Sequence, residues 1–120
     1  MLPKGTRKLV SRFPSKLIFK GPVRKKLSWI KDRTDFIDKA ASNWAEANSA
    51  SPGQVVILGA GYDTRAARLS PLHQNLKFYE LDLPSVVETK AKLYASAFRG
   101  ERSPSVLIPH DLTSPASVLE

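Results

Sequence analysis

Apolar positions recur along this chain in two rhythms. Over 27–48, Trp29, Ile30, Phe36, Ile37, Ala40, Ala41 and Trp44 return with helical spacing, which predicts an amphipathic helix. The segment Ser49-Ala-Ser-Pro-Gly53 is a turn. Beyond it, short apolar runs alternate with helical patterns. Residues 54–58 form a run of the kind buried on both faces of a parallel sheet, and 76–81 and 105–108 predict two further strands. Asp63 or Thr64 can cap a short helix carrying Ala66, Ala67 and Leu69. Pro84 suits the first turn of a helix over about 85–98, with Val86, Val87, Leu93, Tyr94 and Ala97 inward.

The order β-α-β-α-β is the first half of an α/β, doubly wound Rossmann-like sheet, preceded by a helix. Right-handed crossovers set the first strand beside the second and the second beside the third. The apolar first strand is then an unprotected edge, which folded proteins avoid. The expectation is therefore that 27–120 is the N-terminal portion of a larger domain, or a truncated product.

Charge divides the chain differently. Of a net charge of +8, residues 1–33 carry eleven Lys/Arg against Asp32 alone, and the remainder is slightly acidic. The basicity thus belongs to an arm, 1–26, read as a solvated extension. It shares features with organellar transit peptides and could attract polyanions, nucleic acid being a less favoured partner. Otherwise the reading is cytoplasmic, with no membrane span. The absence of cysteine excludes disulfides and thiolate chemistry, and the distant His73 and His110 do not form a metal-ligand pattern.

The chemistry concentrates where the first two strands end. Gly59 and Gly61 follow the first strand, allowing close backbone approach to a ligand. About twenty residues later the second strand ends in Glu80-Leu-Asp82. A carboxylate there can accept bonds from both ribose hydroxyls. Glu80 and Asp82 alternate with Leu81, so both are expected on one face with Leu81 in the core. A dinucleotide fingerprint wants a third small residue where this chain has Thr64, and no P-loop is present. The pattern favours S-adenosyl-L-methionine, which has a ribose and no phosphate.

Two segments, Ile57-Leu-Gly-Ala-Gly-Tyr-Asp-Thr-Arg-Ala-Ala-Arg-Leu69 and Phe78-Tyr-Glu-Leu-Asp-Leu-Pro-Ser-Val-Val-Glu-Thr-Lys90, together resemble the leucine carboxyl methyltransferase family. Arg33-Thr-Asp-Phe-Ile-Asp38 resembles that family's Arg-Thr-x-x-Ile-Asp element. Ile57 stands where many class I methyltransferases carry an acid, a position this family often leaves apolar. The resemblance implies a methyltransferase using S-adenosyl-L-methionine and acting on a carboxylate or other oxygen nucleophile. The acceptor would be a protein C-terminus or a small molecule, and no metal is required. It implies that Arg33 pairs with the methionine carboxylate and that Gly59 and Gly61 line the methionine part. Asp82 would hold the ribose, with Glu80 as a second contact, and Asp111 and Leu112 would meet adenine. Asp63 and Arg65 are read as residues that shape the turn. No catalytic base is assigned. The other readings are a truncated, inactive fragment, or a partner-binding module whose arm binds polyanions.

Overall fold

A computed structural model describes residues 22–114, with side chains from residue 28. The elements are α1 (Pro22–Ala47), β1 (Gly53–Leu58), α2 (Arg65–Leu69), β2 (Leu76–Asp82), α3 (Pro84–Ala97) and β3 (Val106–Pro109). The three strands form a parallel sheet in the order β1-β2-β3, with Val55 opposite Phe78 and Glu80 opposite Leu107. Architecture and strand order follow the hydrophobic pattern.

The helix bounds differ at one end. α1 starts at Pro22, inside the stretch assigned to the arm. A proline in the first turn loses no helical bond, because its missing N–H would have had no partner there. The rest of the arm, 1–21, lies outside the described residues.

All three helices contribute to one face of the sheet. Ala45 of α1 joins Ala66 and Leu69 of α2 against Leu76 and Phe78, flanked by Val55 and Ile57. Ala67, Tyr94, Ala97 and Phe98 form a second cluster, flanked by Leu107. Strands added in one direction return their crossovers over the same face, which explains this arrangement. Side chains of the opposite parity include Val56 and Leu58, exposed at 55% and 64%, and Val106. The expectation that β1 is buried on both faces is therefore not met within the described residues.

The apolar stripe on α1 also behaves differently from its pattern. Trp29, Phe36 and Trp44 are exposed, whereas Asp38, Ala41, Ser42 and Ala45, one turn apart in series, face the body. Ser42 Oγ lies 2.9 Å from His73 Nε2. Asn75 Nδ2 donates to the carbonyl of Ala45 at 3.1 Å, an acceptor near the end of the helix, and to that of Asn48 at 3.2 Å, which also accepts from Ser51 N.

Glycine at 53 has a packing reason. A Cβ built there would lie 2.3 Å from Trp44 Cζ3 and 2.9 Å from Leu76 Cδ2. Gly53→Ala is expected to destabilise the fold by about 1–3 kcal/mol through overpacking. The shift in the urea midpoint at unchanged slope measures it.

Candidate functional site

The chain crosses from β1 to α2 on two residues with left-handed backbone, Gly59 (φ 61°) and Gly61 (φ 44°). Residues with a Cβ seldom adopt this conformation, so glycine is required at both. Ala60 N donates to Leu81 O at 3.1 Å, prolonging the strand ladder into the turn. Gly61 N donates to Asp82 Oδ2 at 2.6 Å, and Leu83 N to Asp82 Oδ1 at 2.7 Å. Each carboxylate oxygen of Asp82 thus holds one backbone N–H and keeps capacity for a further donor. Gly61 and Asp82, twenty-one residues apart, meet at the carboxyl ends of neighbouring parallel strands, where ligands of open α/β sheets bind.

The third strand brings Asp111 to the same end of the sheet. His110 N donates to Asp82 O at 2.8 Å, so Asp111 directly follows the residue that meets Asp82. One Asp111 oxygen accepts from both the N–H and the hydroxyl of Thr113. Those hydrogen bonds, first from the hydroxyl, hold its carboxyl below the ordinary range. Leu112 beside it is 40% exposed.

Glu80 is placed differently from its expectation. It has the same strand parity as Asp82, but it lies under α3 and is 1% exposed. One of its oxygens accepts from Lys90 Nζ at 2.7 Å, the other from the hydroxyls of Tyr94 and Ser105 at 2.9 and 2.7 Å. Two residues of strand rise separate an interior carboxylate from one at the sheet's end, so Glu80 is not accessible as a second ribose contact. Leu81 is buried as expected. Burial, with the charge of Glu80 behind it, pushes the Tyr94 hydroxyl far above the usual phenol range and keeps it a donor.

Arg33 is exposed, and its guanidinium lies over the Trp29 ring, 5.2 Å from the centroid. The acidic neighbour Asp35 pairs with Lys31. Five residues further along α1, Asp38 makes the connection to the turn. Its Oδ1 accepts from Arg65 Nε at 2.7 Å, and its Oδ2 pairs with Arg68. Arg65 also reaches back to Asp63 Oδ2 at 2.8 Å, while Arg65 N donates to Asp63 Oδ1 at 2.6 Å. Asp63 and Arg65 therefore shape the turn and start α2. Thr64, at the cap position, does so without a side-chain cap bond.

Two residues escaped the sequence reading. Asp38 was noticed within a motif but given no role. Lys90 closed a family-like segment but was given no role, yet it is 4% exposed. It precedes Tyr94 by four positions and Ala97 by seven, on the buried stripe of α3, and that spacing was the available signal. Separately, a cavity of about 230 Å³ lined by residues including Ala91, Phe98 and Leu107 lies between α3 and β3, and contains none of the expected site residues. Among the described residues, no group of His, Asp and Glu is arranged to hold a metal, and no helix is long and apolar enough to cross a membrane.

Burial alone would raise the Asp38 carboxyl, but hydrogen bonds from Arg68 and Arg65 outweigh it and bring it below its ordinary value of 3.8. A lowered carboxyl stabilises the fold above its unfolded-state value and loses that contribution as pH falls through the folded-state value. Asp38→Asn is expected to cost about 2 kcal/mol at neutral pH. The gap from the unsubstituted protein should narrow below about pH 4, which urea midpoints measured against pH would show.

The family model for leucine carboxyl methyltransferase matches residues 20–119. Three mycobacterial relatives are each provisionally named S-adenosyl-L-methionine-dependent methyltransferases. The protein of Mycobacterium ulcerans (strain Agy99) is 42% identical over 69 residues, covering 58% of this chain and 21% of the relative. That of Mycobacterium avium (strain 104) is 38% identical over 86 residues, covering 72% and 26%. That of Mycobacterium tuberculosis (strain ATCC 25177 / H37Ra) is 34% identical over 93 residues, covering 78% and 28%. The aligned region thus spans about a quarter of the length of these relatives. No solved structure matches. With the family model covering residues 20–119, the chain belongs to the leucine carboxyl methyltransferase family.

Proposed function

We propose that residues 22–114 carry the first half of an S-adenosyl-L-methionine site in a methyltransferase acting on a carboxylate or another oxygen nucleophile. The observation that carries this reading is the Asp82 carboxylate, held by Gly61 N–H and Leu83 N–H at the end of β2. Its remaining acceptor capacity suits the two hydroxyls of a ribose.

The turn fits such a ligand in shape as well. A Cβ added at Gly59 would meet nothing within 4 Å, and one at Gly61 would meet Asp82 Oδ2 at 4.0 Å. The space a side chain would occupy stands open beside the carboxylate. In this reading Gly59 and Gly61 line the methionine part, Asp111 accepts from the adenine amine and Leu112 packs on the ring. Arg33 pairs with the methionine carboxylate, a task suited to a planar guanidinium fork. Glu80 is left out because it is enclosed.

When bound, the cofactor supplies an electrophilic methyl group on a positively charged sulfur. An acceptor that is already a carboxylate needs no proton removed, so the protein's contribution is to position the reactants and exclude water. That agrees with a site made of backbone N–H groups and hydrogen-bonded carboxylates. No side chain is assigned as a base.

Calorimetric titration of the full-length protein with S-adenosyl-L-methionine and S-adenosyl-L-homocysteine tests the reading. Both should bind, and Asp82→Ala should weaken binding tenfold or more, on the order of the loss of one charge-assisted hydrogen bond. Absence of binding at about 1 mM ligand, near the weak end of measurable affinity, would overturn the reading. Equal affinity of a folded Asp82→Ala protein would do the same.

A further inference from the structure

Lys90 has no part in the cofactor contacts above, yet its ammonium touches the turn that makes them. Nζ donates to Glu80 Oε1 at 2.7 Å and to the backbone carbonyl of Asp63 at 2.8 Å. It also lies 5.6 Å from the centroid of the Tyr94 ring. We propose that Lys90 is a positioning residue: it holds residues 59–64 in the conformation that presents Gly61 N–H to Asp82, and thereby sets the affinity for the adenosyl cofactor. This inference rests on the cofactor reading of the preceding section.

Energetics favour a geometric role over a purely stabilising one. An ion pair buried this deeply gives little net stability over well-packed apolar residues, because both ions lose their hydration. What an apolar pair lacks is a donor for the Asp63 carbonyl. That carbonyl belongs to the residue that closes the turn. Asp63 N donates to Ala60 O at 2.8 Å, and its carboxylate takes Arg65. Lys90 supplies the remaining contact and carries it down to the sheet.

The anchor beneath it is fixed. Tyr94 and Ser105 hold the second oxygen of Glu80, so the carboxylate cannot rotate away from Lys90. A continuous set of charge-assisted bonds therefore runs from the start of β3 through Glu80 and Lys90 to Asp63. Two residues before Asp63 stands Gly61, whose N–H orients Asp82. Low local dielectric strengthens every bond in such a buried set.

The test compares Lys90→Met and the neutral pair Glu80→Gln/Lys90→Met with the unsubstituted full-length protein. The double substitution removes both buried charges and leaves Tyr94 and Ser105 an acceptor. Gly53→Ala, which overpacks against Trp44 and Leu76 at the opposite end of β1, serves as a control for lost stability. Two readouts are taken: exchange of the Gly61 amide in the ligand-free protein, and affinity for S-adenosyl-L-homocysteine. In the neutral double variant both should change by roughly tenfold or more, as for one lost charge-assisted bond. Gly53→Ala should leave Gly61 protection and affinity near the unsubstituted values at temperatures well below its midpoint. If the double variant keeps both the protection and the affinity, or if Gly53→Ala loses them equally, Lys90 has no positioning role. If Gly61 exchange rises in the variant but the unsubstituted protein binds no cofactor, the cofactor reading fails, and with it the role of Lys90 in binding.

Discussion

A carboxylate buried as deeply as Glu80 must be met by donors from the protein, because it has lost its water. Here the donors are Lys90, Tyr94 and Ser105, from α3 and from the segment entering β3. The requirement fixes how α3 lies on the sheet, since Lys90 and Tyr94 must both point at one side chain of β2. It fixes the approach to β3 as well. The apolar cluster of Ala67, Tyr94, Ala97 and Phe98 packs around that arrangement. A charge inside a core is costly unless answered, so its partners tolerate few alternative placements.

A second carboxylate does the same for the N-terminal helix. Asp38 draws Arg65 and Arg68 together, and those arginines belong to the short helix that follows the glycine turn. The helix therefore meets α2 through charge near its middle and the cluster over the sheet through Ala41 and Ala45 further on. Trp29 and Phe36 are exposed, so only the later part of the apolar stripe, Ala41 and the Trp44 ring over Gly53, helps to attach it. Two family-like segments far apart in sequence, one ending in Asp38 and the other holding Arg65 and Arg68, thus meet in a single ion-pair cluster. The glycine turn lies between them and Lys90, held from both sides through Asp63.

Strand and helix positions were legible because apolar periodicity is local. The runs at 54–58 and 76–81 needed adjustment only at their ends, since ladder bonds extend to Gly53 and Asp82. The start of α1 was less legible: a proline reads as a breaker unless its position within the helix is known. The glycine turn and the carboxylate ending β2 were legible as structure, because left-handed backbone at Gly59 and Gly61 and a strand-end Asp82 leave traces in residue type and spacing. Glu80 was misjudged because period-two alternation assigns a face and not a depth. It sits on the same face as Asp82, but one helix covers it.

Residue type and spacing alone determined the α/β order, the family and the glycine turn beside a strand-end carboxylate, because each depends on contacts near in sequence or on motif residues of strict conformation. Tertiary structure decided which charges are internal. Lys90, Glu80, Asp38 and Arg65 resemble surface residues when read one at a time. Their burial follows from helices packed on one face of the sheet, which brings donors and acceptors ten to thirty residues apart within hydrogen-bond distance. The same packing divided Glu80 from Asp82. It enclosed one carboxylate as part of the framework and left the other at the strand end, with free acceptor capacity beside the two glycines.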